Sequence, residues 1–162
     1  MLRAQSGDRE AFDALLREIA PALLRYVTRV SGDAALAQDV VQETLIVIVR
    51  KIAWLNDPSL FRAWAYRIAS REAFRALRKA RRFTGEPLEE VAVDTIDDDP
   101  WQRERLLAAI DRLSPASRAV VTLHYLEDMP LSEVAAVLDL GIGTVKSRLA
   151  YGLAQLRKES SS

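Results

Sequence analysis

The sequence contains no cysteine and a single histidine, His124, among its 162 residues. The absence of cysteine excludes disulfide frameworks, cysteine-ligated zinc, iron–sulfur clusters and thiol nucleophiles. One histidine is too few for most imidazole metal sites. The sequence also lacks a glycine-rich phosphate loop, the spacing of a metal site and a nucleophile paired with a base. We therefore expect neither catalytic residues nor a cofactor, and we expect that the protein is not an enzyme.

Long apolar runs are also absent. The most apolar stretch, residues 44–49, is far shorter than the roughly 20 residues that a membrane-spanning helix needs. The first residues, MLRAQSGDREAF, lack the apolar run of a targeting segment. We therefore expect a cytoplasmic protein without membrane insertion.

Net charge is zero, because 23 Lys and Arg side chains balance 23 Asp and Glu side chains. This balance hides two opposite blocks. Residues 61–83 carry eight basic side chains and one acidic one, and residues 84–104 carry one basic side chain and eight acidic ones. Because the local potential depends on where charges lie, a total of zero does not argue against binding of a polyanion. One hypothesis is that the acidic residues 97–99 cover the basic block in the protein without its partners.

Helical periodicity extends along most of the chain, and strand-like alternation is not sustained anywhere. In the first half, the pattern predicts a helix capped by Asp8 and a second helix that begins at Pro21. It then predicts a third helix over about 34–53 and a long fourth helix over about 60–83. The sequence therefore predicts an all-α fold.

The second half is predicted to be a separate, compact helical domain. Residues 84–104 are acidic and lack helical periodicity, which predicts a flexible linker. After the linker, the apolar spacing and the Pro and Gly turns predict four short helices, over about 106–113, 115–127, 131–138 and 142–158.

The long predicted helix over about 60–83 places basic side chains on one face. At about 100° per residue, five arginines fall within a stripe about 80° wide, and alanines occupy the opposite face. The arginines are Arg67, Arg71, Arg75, Arg78 and Arg82. Like charges in a row repel one another unless a polyanion such as DNA supplies the missing charge. A solvated face, or a partner surface for the acidic linker, would have the same pattern.

The last two predicted helices have helix-turn-helix spacing. A short helix over 131–138 is followed by a turn of about three residues and a second helix whose apolar face is Val145, Leu149, Leu153 and Leu156. In this motif the second helix lies in the major groove and its N-terminal part contacts DNA. A helical hairpin with no DNA function has the same apolar pattern.

Three segments resemble the extracytoplasmic-function (ECF) group of bacterial RNA polymerase sigma factors, of the sigma-70 family. They are QDVVQETLIVIVRKI, FRAWAYRIASREAFRALRKARR and LSEVAAVLDLGIGTVKSRLAYGLAQLRK. The resemblance implies a sigma region 2 helical bundle over residues 1–83, the acidic linker over 84–104 and a sigma region 4 helix-turn-helix domain over 105–162. It also implies binding to the clamp of the β′ subunit of core RNA polymerase, melting of the promoter minus-ten element and recognition of the minus-thirty-five element.

The resemblance assigns roles to three sets of residues. The set that contacts polymerase is Asp39, Gln42 and Glu43. The set that captures the minus-ten element is Trp64, Arg67, Arg71, Arg75 and Arg78. The set that reads the minus-thirty-five element is Gly143, Thr144, Lys146, Ser147, Arg148 and Tyr151.

In its second domain, the chain departs from the family's pattern in ways that reduce positive charge. His124 stands where arginine is usual, and Tyr151 and Gly152 replace the usual Arg-Ala after SRL. Each lost phosphate contact lowers the salt dependence of DNA binding, so we predict weak minus-thirty-five binding without the polymerase. His124 itself is expected to be a packing or surface residue.

Two other functions are also compatible with features of this sequence. One is a sigma-like decoy that binds an anti-sigma protein and not DNA, and the weaker charge of the second domain favours it. The other is a stand-alone helix-turn-helix regulator, which would need its own dimerisation helix. The basic stripe argues against the decoy, because a decoy does not need those arginines. An anti-sigma factor is a further partner that the resemblance allows.

Overall fold

The structure of the protein is a computed structural model, and it describes residues 1–84 and 110–160. The chain divides into two compact units, Met1–Phe83 and Thr84–Ser162. Every regular element within the described ranges is helical, so the all-α fold class is confirmed. All but residue 84 of the predicted acidic linker, and residues 106–109 of the predicted helix over 106–113, lie outside the described residues.

Four α-helices build the first unit. They are α1 (Leu2–Gln5), α2 (Arg9–Ser31), α3 (Ala34–Lys51) and α4 (Phe61–Thr84). Two short 3₁₀ turns, Ile52–Trp54 and Pro58–Leu60, connect α3 to α4. The α-helical part of α3 therefore ends slightly before the predicted boundary at 53.

The N-termini of α2 and α3 are capped by aspartates. The carboxylate of Asp8 accepts a hydrogen bond from the backbone N–H of Ala11, and that of Asp33 accepts from Ala35 and Leu36. These carboxylates satisfy N–H groups that have no partner within the helix, and their negative charge interacts favourably with the helix dipole.

The prediction of a helix boundary at Pro21 is wrong. Helix α2 continues through Pro21, which is exposed. An interior proline costs about 3 kcal/mol or more because it removes one backbone hydrogen bond and its ring crowds the preceding turn. Here the continuous helix buries Ile19 before the proline and Leu23 and Tyr26 after it on one face. Tertiary packing of that face offsets the local cost of the proline.

Helices α2 and α4 are joined by a buried polar contact as well as by apolar packing. The rings of Tyr26 and Tyr66 meet edge to face with centroids 5.3 Å apart. The hydroxyl of Ser70 donates to the carbonyl oxygen of Tyr66 at 2.7 Å and lies 2.7 Å from the hydroxyl of Tyr26. Because Ser70 has one hydroxyl hydrogen, Tyr26 must donate to Ser70. The contact therefore fixes the face that α4 presents to α2.

The second unit contains three described α-helices. They are α5 (Pro115–Val121), α6 (Leu131–Leu138) and α7 (Ile142–Ser160). Ser114 caps α5, as the Ser-Pro pattern predicts. The helix predicted over 115–127 is α-helical only to Val121, and residues Thr122–Leu126 form a π-helical turn. The short α6, its left-handed turn residue Asp139 (φ 57°) and α7 form the predicted helix-turn-helix.

Helix α7 packs closely on α5 at Gly152. A Cβ atom at this position would lie 3.0 Å from a methyl group of Val121 and 3.4 Å from Leu113. Val121 is fully buried, and its branched side chain has little freedom to move away. The glycine that departs from the family's pattern therefore permits the close approach of the two helices.

Candidate functional site

The basic stripe of α4 faces outward. Arg71, Arg75, Arg78 and Arg82 are exposed, and Arg67 is half-buried. Ala65, Ala69 and Ala73, on the other side of the helix, are completely buried. The small side chains let α4 pack closely against the unit, while the arginines lie on the surface as predicted.

The buried face of α4 is shorter than the stripe. Ala76 and Leu77 are half-buried and Ala80 is exposed, although the sequence pattern places all three on the packed side. The last turns of α4 therefore expose more of their circumference than its first turns. Arg78 and Arg82 lie on these last turns of α4.

Glu72 interrupts the positive charge of the stripe at one point. Its carboxylate lies 3.1 Å from a guanidinium nitrogen of Arg75, one helical turn away. Glu72 is largely buried and Arg75 is 72% exposed. The guanidinium has five N–H donors and the Arg75 side chain is mostly exposed, so Arg75 can contact a phosphate while it keeps Glu72 as a partner.

Trp64 lies beside a surface groove at the start of α4. The groove has a volume of about 340 Å³. Trp54 and Leu60 expose 77% and 54% of their surface beside it, and the ring of Phe61 packs 6.1 Å from that of Trp64. The lining residues are Lys51, Trp54, Leu55, Asn56, Asp57, Leu60 and Trp64. Two indoles with nearby polar groups form a site that a flat, partly polar ring can occupy.

Sequence reasoning identified Trp64 but missed Trp54 and Leu60. Both residues lie in the 3₁₀ turns between α3 and α4, where helical periodicity gives no information. The sequence does contain one indication of this site, a tryptophan directly before the turn sequence Leu-Asn-Asp-Pro-Ser. Functional residues are common on loops, so a large aromatic residue next to a turn is a candidate for a binding site.

Asp57 gives this loop a defined shape. One carboxylate oxygen accepts hydrogen bonds from the backbone N–H of Ser59 at 2.9 Å and from its hydroxyl at 2.7 Å. The hydroxyl bond, and then the backbone bond, lower the pKa of Asp57 below its ordinary value. The carboxylate is therefore charged at neutral pH, and the groove has Asp57 and the ammonium group of Lys51 on its lining.

The predicted polymerase-binding residues form an exposed group on α3. Asp39, Gln42 and Glu43 are exposed, and Val40, Val41 and Thr44 between them are buried. On the same side, one to two turns further along, Ile46 is half-buried and Val49 is 51% exposed. The exposed face is therefore acidic at its start and has Val49 beside the exposed Arg50 at its end, and sequence reasoning identified only the acidic part.

The predicted residues of the helix-turn-helix divide into two groups. Gly143, Thr144, Lys146 and Ser147 are exposed at the start of α7. The hydroxyl of Ser147 donates to the carbonyl oxygen of Gly143 at 3.0 Å.

Arg148 and Tyr151 lie further along α7 and are half-buried. The Tyr151 hydroxyl accepts a hydrogen bond from the side-chain amide of Gln155 at 2.9 Å. The first turns of α7 thus present the accessible surface, and the hydroxyl of Tyr151 has a partner on its own helix.

His124 is a packing residue, in agreement with the sequence analysis. Its Nδ1 atom lies 2.8 Å from the carbonyl oxygen of Met129, and Met129 is almost completely buried. A carbonyl oxygen can only accept, so Nδ1 carries the hydrogen and donates it. This bond joins the π-helical turn to the segment that leads into α6.

The part of the chain that the structure describes contains no group of His, Cys, Asp and Glu side chains that could hold a metal ion. Among the same residues, no helix is long and apolar enough to cross a membrane.

Two family models match the chain in this order: "Sigma-70 region 2" over residues 15–83 and "Sigma-70, region 4" over residues 103–156. They define the class, a protein with the two conserved helical regions of the sigma-70 family.

Curated relatives narrow the class. The chain is 34% identical to the ECF RNA polymerase sigma factor SigL of Mycobacterium tuberculosis, over 95% of this chain and 91% of SigL. It is 32% identical to the RNA polymerase sigma-E factor of Streptomyces coelicolor, over 94% of this chain and 88% of the relative. It is also 32% identical to the ECF sigma factor SigE of Mycolicibacterium smegmatis, over 94% of this chain but only 63% of that longer relative. The chain belongs to the ECF group of RNA polymerase sigma factors.

Two solved structures share the fold at 25% sequence identity. One is the sigma factor RpoE in complex with the anti-sigma factor NepR from Bartonella quintana, with a TM-score of 0.72 over 92% of this chain and 96% of that one. The other is CnrH in complex with the cytosolic domain of CnrY, with a TM-score of 0.70 over 99% of this chain and 94% of that one.

Proposed function

We propose that this sigma factor binds the clamp of the β′ subunit of core RNA polymerase, recognises promoter DNA and melts its minus-ten element. Residues 1–83 carry the clamp-binding and melting surfaces, residues 105–162 read the minus-thirty-five element, and residues 84–104 connect them. The observation that supports this most strongly is the groove between Trp54 and Trp64, at the start of the same helix that carries the exposed arginine stripe.

In this proposal, melting proceeds by capture of a single strand. Strand phosphates lie along Arg71, Arg75 and Arg78, and an unstacked base enters the groove and stacks against an indole. Stacking of one base on an aromatic side chain contributes about 1–3 kcal/mol, which is of the order of the cost of extruding one base from the duplex. The sigma factor therefore supplies binding energy, and the catalytic chemistry of transcription belongs to the polymerase.

The exposed face of α3 is proposed to bind the polymerase. Asp39 and Glu43 are one helical turn apart, and like charges at that spacing repel weakly in the isolated helix. A basic surface on the polymerase would offset this repulsion, and Val49 near the other end of the face would be buried in the same contact.

The start of α7 is proposed to enter the major groove at the minus-thirty-five element. Thr144, Lys146 and Ser147 are exposed there, and Arg148 is partly accessible. With His124 and Tyr151 in positions where the family usually has arginine, this contact has few cations. Binding at this element therefore depends on the attachment of the first unit to the polymerase.

An anti-sigma factor is a further proposed partner, because the sigma factor RpoE, which shares the fold, was solved in complex with the anti-sigma factor NepR. A decoy that binds only an anti-sigma protein is disfavoured, since exposed arginines and an open aromatic groove on α4 have no role in it. A stand-alone regulator is disfavoured by the acidic start of the exposed face of α3.

Co-purification with core polymerase, followed by run-off transcription on a promoter library, tests the proposal. We expect a stable complex and transcripts from one class of promoter, which also identifies the promoter sequence. The double variant Asp39→Lys, Glu43→Lys should reduce polymerase binding. The control variant Arg17→Ala, on the exposed face of α2, should not. A decoy would give no transcripts, and a stand-alone regulator would bind DNA without the polymerase.

A further inference from the structure

Gln5, in the N-terminal helix α1, is hydrogen bonded to the loop that forms the groove. Its side-chain nitrogen lies 3.1 Å from the carbonyl oxygen of Ile52 and 2.7 Å from that of Leu55. Ile52 is the first residue of the 3₁₀ turn that contains Trp54, and Leu55 directly follows that turn and lines the groove. Because both neighbours are acceptors, the group that faces them is the NH₂ and not the amide oxygen. Both hydrogens of one amide are thus used to hold a turn that lies about fifty residues away.

The amide of Gln5 extends from a well-anchored backbone. Ala4 beside it is buried. Arg3 binds one carboxylate oxygen of Asp8 through two guanidinium nitrogens, at 2.6 and 2.9 Å. The other carboxylate oxygen of Asp8 caps α2. Helix α1 is therefore attached to the start of α2, although it contains a single turn.

The position of Trp54 cannot be explained by burial, because its side chain is mostly exposed. The hydrogen bonds of Asp57 to Ser59 are local and shape only the far end of the loop. The bonds from Gln5 are different, since they join the turn at Ile52 and Leu55 to another helix. The position of Trp54 on the groove thus depends on contacts that include this amide.

We propose that Gln5 is a positioning residue for base capture: by holding the carbonyl groups of Ile52 and Leu55, it keeps Trp54 in place beside the groove that Trp64 also lines. This inference depends on the proposed function of the groove. It assigns a role in promoter melting to a segment that precedes the region 2 match over residues 15–83.

The test uses the full chain in complex with core polymerase. The probe is a fluorescein-labelled single-stranded oligonucleotide with the non-template minus-ten sequence from the run-off library, and a set of derivatives with an abasic site at each position in turn. Gln5→Glu removes the donors with little change in size, and Gln5→Met removes them without adding charge. Ser6→Ala is the matched control, because it deletes an exposed hydrogen bond to Arg3 in the same turn.

We expect wild-type binding to be sensitive to an abasic site at one position, which identifies the captured base. On the intact oligonucleotide, both Gln5 variants should bind roughly three- to tenfold more weakly than wild type. On the oligonucleotide that lacks the captured base, the variants and wild type should bind equally. Ser6→Ala should match wild type on both. Polymerase binding, measured in parallel, should be unchanged for both Gln5 variants, and both should remain folded at the temperature of the assay although they unfold at a lower temperature than wild type.

Different results would overturn the proposed function of the groove and the proposed role of Gln5. If no abasic site weakens wild-type binding, the groove does not capture a base and the proposed function of the groove is wrong. If wild type has a sensitive position but both Gln5 variants bind the intact oligonucleotide normally, the groove functions without Gln5. An equal loss on the intact and abasic oligonucleotides would assign Gln5 a general structural role, which also overturns the inference.

Discussion

At the scale of single residues, Trp54 is the most informative side chain of the first unit. It exposes 77% of its surface on a loop, and burial of apolar area of this kind contributes about 25 cal/mol per Å². The indole therefore adds little to the stability of the unit and has much to gain from a ligand. Its neighbour Trp64 is half-buried and fixes one side of the groove.

Replacement of Trp54 by alanine should separate binding from stability. We expect Trp54→Ala to weaken binding of single-stranded minus-ten DNA to the polymerase complex by about 1–3 kcal/mol, the contribution of one stacked base. Thermal unfolding should change little, because the side chain is exposed. Fluorescence anisotropy measures the binding. Leu2→Ala, which truncates another exposed apolar residue, is the control, and equal affinities of the two variants would contradict the role of Trp54.

Asp8 provides a pH dependence with a definite sign. Hydrogen bonds from the backbone N–H of Ala11, and then from Arg3, lower the pKa of Asp8 below its ordinary value of 3.8. Its stabilising effect is therefore complete above that value and is lost as the pH falls through the lower pKa of the folded protein. The protection factors of the backbone amides at the start of α2, which are corrected for the intrinsic exchange rate at each pH, should fall in acid, and this fall should be smaller in Asp8→Asn. Identical profiles for the two proteins would exclude the charged cap as its cause.

Individual site residues differ in how far they could be predicted. The arginines of α4 and the first residues of α7 follow from helical periodicity, because a helix whose apolar face is known has a known exposed face. Trp54, Leu60 and Gln5 do not follow from it. Their roles arise where a loop and a distant helix meet, and the spacing of residues within one helix contains no information about that contact.

At the scale of secondary-structure elements, α4 combines close packing at its start with charge along its length. The stripe should act through strand phosphates. We therefore expect Arg78→Ala to reduce the slope of log affinity against log salt by about 0.7 for single-stranded DNA, the contribution of one phosphate contact. Arg17→Ala, on the exposed face of α2, should leave the slope unchanged. An unaltered slope in Arg78→Ala would show that Arg78 does not contact the strand.

The contact between α5 and α7 depends on the absence of a side chain at Gly152. Gly152→Leu should destabilise the second unit by about 1–3 kcal/mol, the usual cost of overpacking, since the added atoms meet the buried Val121 and Leu113. Urea denaturation followed by NMR signals of the second unit measures this effect. The first unit serves as an internal control. Unchanged stability of the second unit would mean that α7 can move away from α5 without cost.

Two elements show why local signals misassigned boundaries. A proline normally ends a helix, yet α2 continues through Pro21. The apolar spacing after Val121 predicts that α5 continues, yet α5 ends there. Helix α2 is continuous because packing of one apolar face outweighs the cost of Pro21, and α5 changes to a π-helical turn at Thr122. By contrast, α6 and its turn match the prediction, because their apolar spacing and turn residues agree with their packing.

At the scale of the whole molecule, a net charge of zero coexists with surfaces of opposite character. The stripe on α4 is basic, and the first part of the exposed face on α3 is acidic. We expect these faces to bind different partners, DNA and polymerase, within one initiation complex. The prediction that residues 97–99 cover the stripe concerns a segment outside the described residues, and it stays a prediction.

The most direct measurement is permanganate reactivity of thymines in the minus-ten element of a promoter selected from the library. With the sigma factor and core polymerase together, these thymines should become reactive, because melting exposes unpaired bases. The reactivity should fall strongly with Trp54→Ala and remain high with Leu2→Ala. If the complex assembles and binds the promoter while the thymines stay unreactive, or if core polymerase alone gives the same pattern, the proposed melting function is contradicted.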